Sequence, residues 1–123
     1  MIAFSRRAVA CKGFRWMPGM RWWTDDDRGR LDDYQPEYMA RSTDALPDLS
    51  DPATVGCLLA LVREAYRDAS KLWDGHVEVR RDHRILFFIV SFRHDASGAL
   101  VEDTLATGGT EAEALVAALE SAP

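Results

Sequence analysis

His76 and Glu78 stand two positions apart, the spacing with which zinc-dependent deaminases place a metal ligand and a general acid and base. Those enzymes also need a Pro-Cys-x-x-Cys motif for the remaining zinc ligands, and this chain lacks it. The segment around His76 has the alternation of a strand, so both side chains are expected on its outer face. We therefore predict neither a metal site nor a cofactor there.

Two further histidines lie next to aspartates, at Asp82-His83 and at His94-Asp95. An acid-base site requires these groups to meet, but in an antiparallel meander the two turns lie at opposite ends of the central strand. Asp25 to Asp27 resemble part of a calcium loop, yet the alternating ligands and the distal glutamate are missing. The chain is accordingly predicted to be non-enzymatic, with no catalytic residue.

The start of the chain combines cations with tryptophans and leads directly into a run of aspartates. Residues 1–24 carry five cations and no acid, whereas residues 25–51 carry nine acids and three arginines. Aromatic and arginine side chains dominate the energetic centres of protein interfaces. The candidate partner-binding residues are therefore Arg15, Trp16, Arg21, Trp22, Trp23, Asp25, Asp26 and Asp27.

The same residues have other interpretations that the sequence leaves open. Phe14, Trp16 and one of Trp22 or Trp23 can be core or edge-packing residues. The aspartates can be solvated surface, pair internally or steer a charged partner. The arginines and tryptophans can instead form a basic surface on which nucleic-acid bases stack.

Length and composition fit one globular domain. The chain has 123 residues, 47% of them hydrophobic and 28% charged, with a net charge of −5. Cys11 and Cys57 form neither a disulfide framework nor a paired metal motif, which favours a reducing compartment. The first cations follow an apolar patch, the reverse of a secretory signal, and no run reaches membrane-spanning length. We expect a single domain over residues 1–123, in the cytoplasm, with no membrane partner.

Two helices are expected to form the scaffold. Asp51 is a good N-cap and Pro52 fits the first position of a helix over residues 51–68. Its apolar residues recur at steps of three and four, at Val55, Leu58, Leu59, Val62, Ala65, Tyr66 and Ala69. Thr110 to Glu113 form a capping-box pattern. That pattern opens a second helix with a narrow apolar stripe at Leu115, Ala118, Leu119 and Ala122.

Three apolar segments separated by turn residues predict an antiparallel meander, with strands at 76–80, 85–92 and 99–105. The segment at 85–92 is apolar on both faces, so it is expected in the middle of the sheet with cover on each side. The predicted fold is α+β, with two main helices packed on one face of the sheet.

The other face is expected to be covered by an N-terminal aromatic strand pair. Residues 13–23 predict this pair, bent at Pro18-Gly19, although the same dipeptide also suits a corner that does not close a tight hairpin. Residues 24–50, rich in Asp, Gly, Pro and Arg, predict a long acidic connection.

Three segments resemble elements of small uncharacterised proteins encoded by phages and prophages: GFRWMPGM at 13–20, DPATVGCLLALVREAY at 51–66 and TEAEALVAALESAP at 110–123. The resemblance implies a non-enzymatic accessory protein of a mobile element that binds another protein, such as a host factor or defence system. The alternative is a nucleic-acid-binding accessory protein that uses the basic, tryptophan-rich N-terminal segment. A homodimer is compatible with both, because self-association hides apolar surface that the sheet leaves uncovered.

Overall fold

The computed structural model describes residues 2–32, 39, 44–67, 73–83 and 86–123. This part of the chain contains three helices and two three-stranded antiparallel sheets, an α+β fold as predicted. In chain order the elements are α1 (Ile2–Ala10), β1 (Arg21–Trp23), β2 (Arg28–Arg30), β3 (Leu46–Pro47), α2 (Pro52–Arg67), β4 (Trp73–Arg81), β5 (Phe87–His94), β6 (Leu100–Gly108) and α3 (Glu111–Glu120).

The larger sheet is the predicted meander, in the order β4-β5-β6. β5 pairs with β4 through Val77 opposite Ser91 and Val79 opposite Ile89, and it pairs with β6 on its other side. This confirms the central place of the apolar strand, although position 85 lies outside the described residues. α2 packs on β4, and α3 packs on β5 and β6, so the two main helices lie on the sheet as predicted.

α2 begins at the predicted cap. The Asp51 carboxylate accepts hydrogen bonds from the Thr54 amide at 3.0 Å and from the Thr54 hydroxyl at 2.9 Å. The predicted apolar stripe included Leu59, but Leu59 is only half-buried and Leu61 is buried instead. The difference arises because α2 packs against both α3 and β4. The buried residues are Thr54, Leu58, Leu61, Val62 and Tyr66. Each large apolar side chain contributes roughly 1.5–3 kcal/mol on burial, so packing holds this helix. The last predicted positions, 68 and 69, lie outside the described residues.

α3 is capped by Thr110, whose hydroxyl accepts a hydrogen bond from the Glu113 amide at 3.1 Å. The helix buries more than the predicted narrow stripe, because α1, α2 and the larger sheet all pack against it. Its buried residues are Ala112, Ala114, Leu115, Val116, Ala118 and Leu119. The close approach of sheet and helix depends on Gly108, where an added Cβ would lie 2.5 Å from the Ala114 amide nitrogen.

The smaller sheet has the order β2-β1-β3 and differs from the predicted strand pair. β1 pairs with β2 and β3, which both come from the segment predicted as a connection, with Trp22 opposite Gly29 and Pro47. Gly19 has a φ of 92°, and its amide donates to the Leu31 carbonyl at 2.9 Å. Pro18-Gly19 therefore turns a corner and does not close a hairpin. Positions 33–38 and 40–43 of the predicted connection lie outside the described residues.

One face of the larger sheet, the outer face, points away from the helices. Strand alternation and register place on it His76, Glu78, Arg80, Phe88, Val90, Phe92 and Glu102. The prediction that the N-terminal segment covers this face is wrong, because Trp16 packs in the core and no described helix or smaller-sheet strand packs across the outer face. The ring of Phe92 is shielded from within the sheet, with the His76 ring and the Arg80 guanidinium each 5.3 Å from its centroid.

Candidate functional site

A groove of about 580 Å³ lies between α1 and the smaller sheet. We call it the α1 groove, and its described lining residues are Ile2, Arg6, Val9, Trp23, Thr24, Asp25, Asp26, Asp44 and Leu46. Two of the apolar side chains are well exposed, Ile2 at 48% and Val9 at 36%, and Trp23 is half-buried. Apolar side chains that are exposed together in a concave surface are a feature of binding sites.

Helix α1 presents one of its sides to the groove because of its residue spacing. Ile2, Arg6 and Val9 are separated by four and three positions, so they lie on one face of the helix. Ser5 and Ala8 lie on the buried face, and the Ser5 hydroxyl donates to the Pro47 carbonyl at 3.0 Å. This buried hydrogen bond fixes α1 against β3 and thereby fixes the wall of the groove.

The opposite rim is the turn that joins β1 to β2. The Thr24 hydroxyl accepts hydrogen bonds from the amides of Asp26 at 3.3 Å and Asp27 at 3.1 Å. The Thr24 amide donates to the Asp27 carbonyl at 2.8 Å, which closes the turn. Asp25 and Asp26 are exposed, and no described residue donates a hydrogen bond or an ion pair to either carboxylate. The rim is thus an ordered turn with two carboxylates available to a partner.

The hairpin that carries this turn is anchored to α2 by an ion pair. Arg30 donates two hydrogen bonds to the Asp51 carboxylate, at 2.9 and 2.8 Å, and a third to the Gly19 carbonyl at 2.7 Å. The Arg30 guanidinium, together with the amide and hydroxyl of Thr54, holds the pKa of Asp51 far below its usual range. The Asp51 carboxylate therefore serves both as a helix cap and as the anchor of the hairpin.

The α1 groove contains three of the predicted partner-binding residues, namely Trp23, Asp25 and Asp26. Asp27 is exposed beside them, but its carboxylate accepts a hydrogen bond from the Arg28 amide at 2.8 Å and so supports the turn. Trp22, the neighbour of Trp23, points the other way and lies over Gly29, where an added Cβ would come within 3.0 Å of the ring. It packs against the hydrophobic core.

The other three predicted residues do not join this site. Trp16 is only 8% exposed and packs edge-on against Phe14, at 5.4 Å between ring centroids, so it is a core residue and is not available to a partner. Arg15 pairs with Glu64, and Arg21 Nε lies 3.8 Å from Asp48 Oδ2. Because of these contacts, the three residues do not form the continuous basic, aromatic surface that the sequence suggested.

Sequence reasoning missed the wall of the groove that α1 and β3 supply. The sequence predicts a short helix over residues 3–10, and the structure has α1 there, but the role of Ile2, Arg6 and Val9 in a groove was not predicted. Asp44 and Leu46 carry no comparable sequence signal, because they come from the predicted connection and reach the groove only through the pairing of β3 with β1.

In two other grooves, the fold itself explains the reactive or charged side chains without a ligand. One, of about 540 Å³, contains Cys11, whose pKa is raised by burial and whose thiol donates to the Arg7 carbonyl at 3.2 Å, so it is a neutral thiol. The other, of about 370 Å³, lies at the start of α3. Its acids, Glu111 and Glu113, occupy the first turn of that helix, where negative charge is stabilised by the helix dipole.

His76 and Glu78 lie together on the outer face, as predicted, with 2.6 Å between Nε2 and Oε1. Asp82 and Asp95 lie in the two turns at opposite ends of β5, which also agrees with the prediction. Among the described residues, no three His, Cys, Asp or Glu side chains are grouped closely enough to hold a metal ion.

None of the helices in the described ranges combines the length and the apolar composition that crossing a bilayer requires. Comparisons with protein-family models, with curated proteins and with solved structures find no match to this chain.

Proposed function

We propose that this protein is a non-enzymatic accessory protein that binds another protein through the α1 groove. The observation that supports this proposal is the exposure of Ile2 and Val9 in the same groove as Trp23, on a helix that the Ser5 hydrogen bond attaches to β3. A preformed site avoids much of the ordering cost of association. Tryptophan is among the residues most often found at the energetic centres of protein interfaces.

The chemistry of the groove favours binding over catalysis. Its described ionisable residues are three aspartates and one arginine, with no histidine or cysteine among them. General acid-base and nucleophilic catalysis need a group with a tuned pKa next to the reacting atoms. The exposed carboxylates of Asp25 and Asp26, which form no hydrogen bond or ion pair with a described residue, are better suited to recognising a cation than to transferring a proton.

The resemblance to phage and prophage proteins supports the biological setting that we propose, an accessory protein that acts on a host factor or a defence system. The nucleic-acid alternative has less support, because Arg15 and Arg21 are engaged by Glu64 and Asp48 and Trp16 is buried. A stacking surface requires exposed rings beside free cations.

The proposal can be tested with peptides selected from a random display library against the folded chain. Replacing Trp23 by alanine should weaken binding of the selected peptides by roughly 30-fold or more, as expected for the loss of an interface centre worth about 2 kcal/mol. The matched control is Phe92→Ala, which removes an aromatic ring from the outer face and should leave binding within about twofold. Fluorescence anisotropy of labelled peptides gives both values.

A second variant tests the site independently, in case Trp23→Ala unfolds the protein. Ile2 and Val9 are exposed, so the double change Ile2→Ser and Val9→Ser should preserve the fold, as checked by circular dichroism, and still weaken binding. Selected peptides that bind all of these variants as tightly as the natural chain would show that the α1 groove is not the binding site.

The biological setting needs a separate experiment. A photo-crosslinking amino acid at position 9 should capture a protein in phage-infected host cells, and the capture should be lost when Trp23 is alanine. Equal capture with and without Trp23 would contradict the proposed site, and capture of no host protein would contradict the proposed setting.

A further inference from the structure

We infer that the segment bound in the α1 groove is basic and carries an apolar anchor, an inference that rests on the proposed function above. The described lining has three acidic side chains, Asp25, Asp26 and Asp44, and a single cation, Arg6, on α1. The apolar lining residues Ile2, Val9, Trp23 and Leu46 favour an apolar anchor, and the excess of negative charge favours cations beside it.

The carboxylates of Asp25 and Asp26 differ from most acids of the described chain, which have a partner in the fold. Six acids elsewhere in the described chain pair with arginines from other segments: Glu120 with Arg7, Glu64 with Arg15, Asp48 with Arg21, Asp51 with Arg30, Glu102 with Arg80 and Asp103 with Arg93. Asp95 accepts hydrogen bonds within its own turn. Asp25 and Asp26 have neither kind of contact, although they sit in a turn that Thr24 holds in place.

The geometry also favours recognition by side chains over addition of a strand. β3, the edge strand beside the groove, has only two residues, Leu46 and Pro47. Proline has no amide hydrogen, and such a short edge offers few main-chain hydrogen bonds to an added strand. The affinity must therefore come from an apolar side chain beside Trp23 and from lysine or arginine side chains that reach Asp25 and Asp26.

Three synthetic peptides test the inference. Each has the same central Leu-Trp-Leu segment, flanked on both sides by lysines, by glutamines or by glutamates. We expect the lysine peptide to bind at least tenfold more tightly than the glutamine peptide, and the glutamate peptide to bind most weakly. Affinity for the lysine peptide should fall as salt rises from about 50 mM to about 300 mM, because exposed charges are screened.

Two charge variants separate local recognition from attraction to an acidic protein. Asp25→Asn with Asp26→Asn should weaken the lysine peptide about fivefold to tenfold, with little effect on the glutamine peptide. The control, Glu78→Gln with Glu102→Gln, removes the same amount of charge from the outer face and should change binding by less than about twofold.

The outcomes distinguish this inference from the proposed function. If the glutamine or glutamate peptide binds as tightly as the lysine peptide and Trp23→Ala still abolishes binding, the groove is a binding site but its partner is not basic. If both charge variants weaken the lysine peptide equally, the attraction is non-specific and the inference is wrong. If peptides bind without dependence on Trp23, the proposed function fails as well.

Discussion

The α1 groove and the outer face of the larger sheet contain similar types of side chain in different arrangements. Both place aromatic side chains among charged ones. On the outer face, Arg80 pairs with Glu102 and lies 3.4 Å from Glu78, and its guanidinium covers the ring of Phe92. His76 completes the network through Glu78, whose pKa is lowered by the hydrogen bond from His76 and by Arg80. In the groove, no described cation pairs with Asp25 or Asp26 in the way that Arg80 pairs with Glu102.

The difference shows that composition alone does not identify a binding surface. The charges of the outer face neutralise each other and shield the ring that they surround. The charges of the groove lie on separate elements, a helix and a turn, and leave apolar walls between them. Pairing of charges, together with exposure of apolar atoms, therefore separates a solvated face from a binding site.

The largest stability effect should come from the charge that anchors the groove. We expect Asp51→Ala to lower the free energy of unfolding by about 2–3 kcal/mol, because it removes the cap of α2 and leaves Arg30 without its carboxylate. Urea denaturation measures this change. A loss near zero would show that the hairpin is not anchored through Asp51.

Lowering the pH should remove the stabilisation that the Asp51 carboxylate provides. The folded-state pKa of Asp51 is depressed by Arg30 and Thr54, so ionised Asp51 stabilises the fold above its unfolded pKa of about 3.9, and this stabilisation is lost as pH falls toward the folded value. Between about pH 5 and pH 2 the natural chain should lose more stability than Asp51→Asn. Parallel pH profiles of the two proteins would contradict the role given to this carboxylate.

A smaller effect is expected on the outer face. Arg80→Gln removes the central cation of an exposed network and should lower the free energy of unfolding by about 0.5–1 kcal/mol, with a smaller difference at high salt. Thermal unfolding at two salt concentrations tests this. A loss as large as that of Asp51→Ala would mean that the outer face is a structural interface and not a solvated surface.

The smallest change in stability is expected from substitutions in the α1 groove. Asp25→Asn with Asp26→Asn should change stability by less than about 0.5 kcal/mol, since neither carboxylate has a partner within the described chain. Thermal unfolding beside the peptide-binding assay would show a variant that folds normally and binds a basic peptide weakly. A marked destabilisation would instead mean that these carboxylates hold the turn in place.

The sequence predicted part of the candidate site. Trp23, Asp25 and Asp26 were identified by their types and their nearness along the chain, and the structure places all three in the groove. Arg15 and Trp16 were named on the same grounds and lie elsewhere. Their partners, Glu64 for Arg15 and the core for Trp16, come from distant parts of the chain, and sequence spacing carries no information on such contacts.

Local physical chemistry in the sequence determined the caps of α2 and α3, the meander and the central place of β5. Each of these depends on residues a few positions apart, such as Asp51 with Thr54 or Thr110 with Glu113, whose geometry is nearly independent of the rest of the fold. Only the tertiary structure decided that β1 pairs with β2 and β3, that Arg30 anchors Asp51, and that the outer face shields itself. These features depend on long-range pairing, where many partners are chemically equivalent and packing selects one of them.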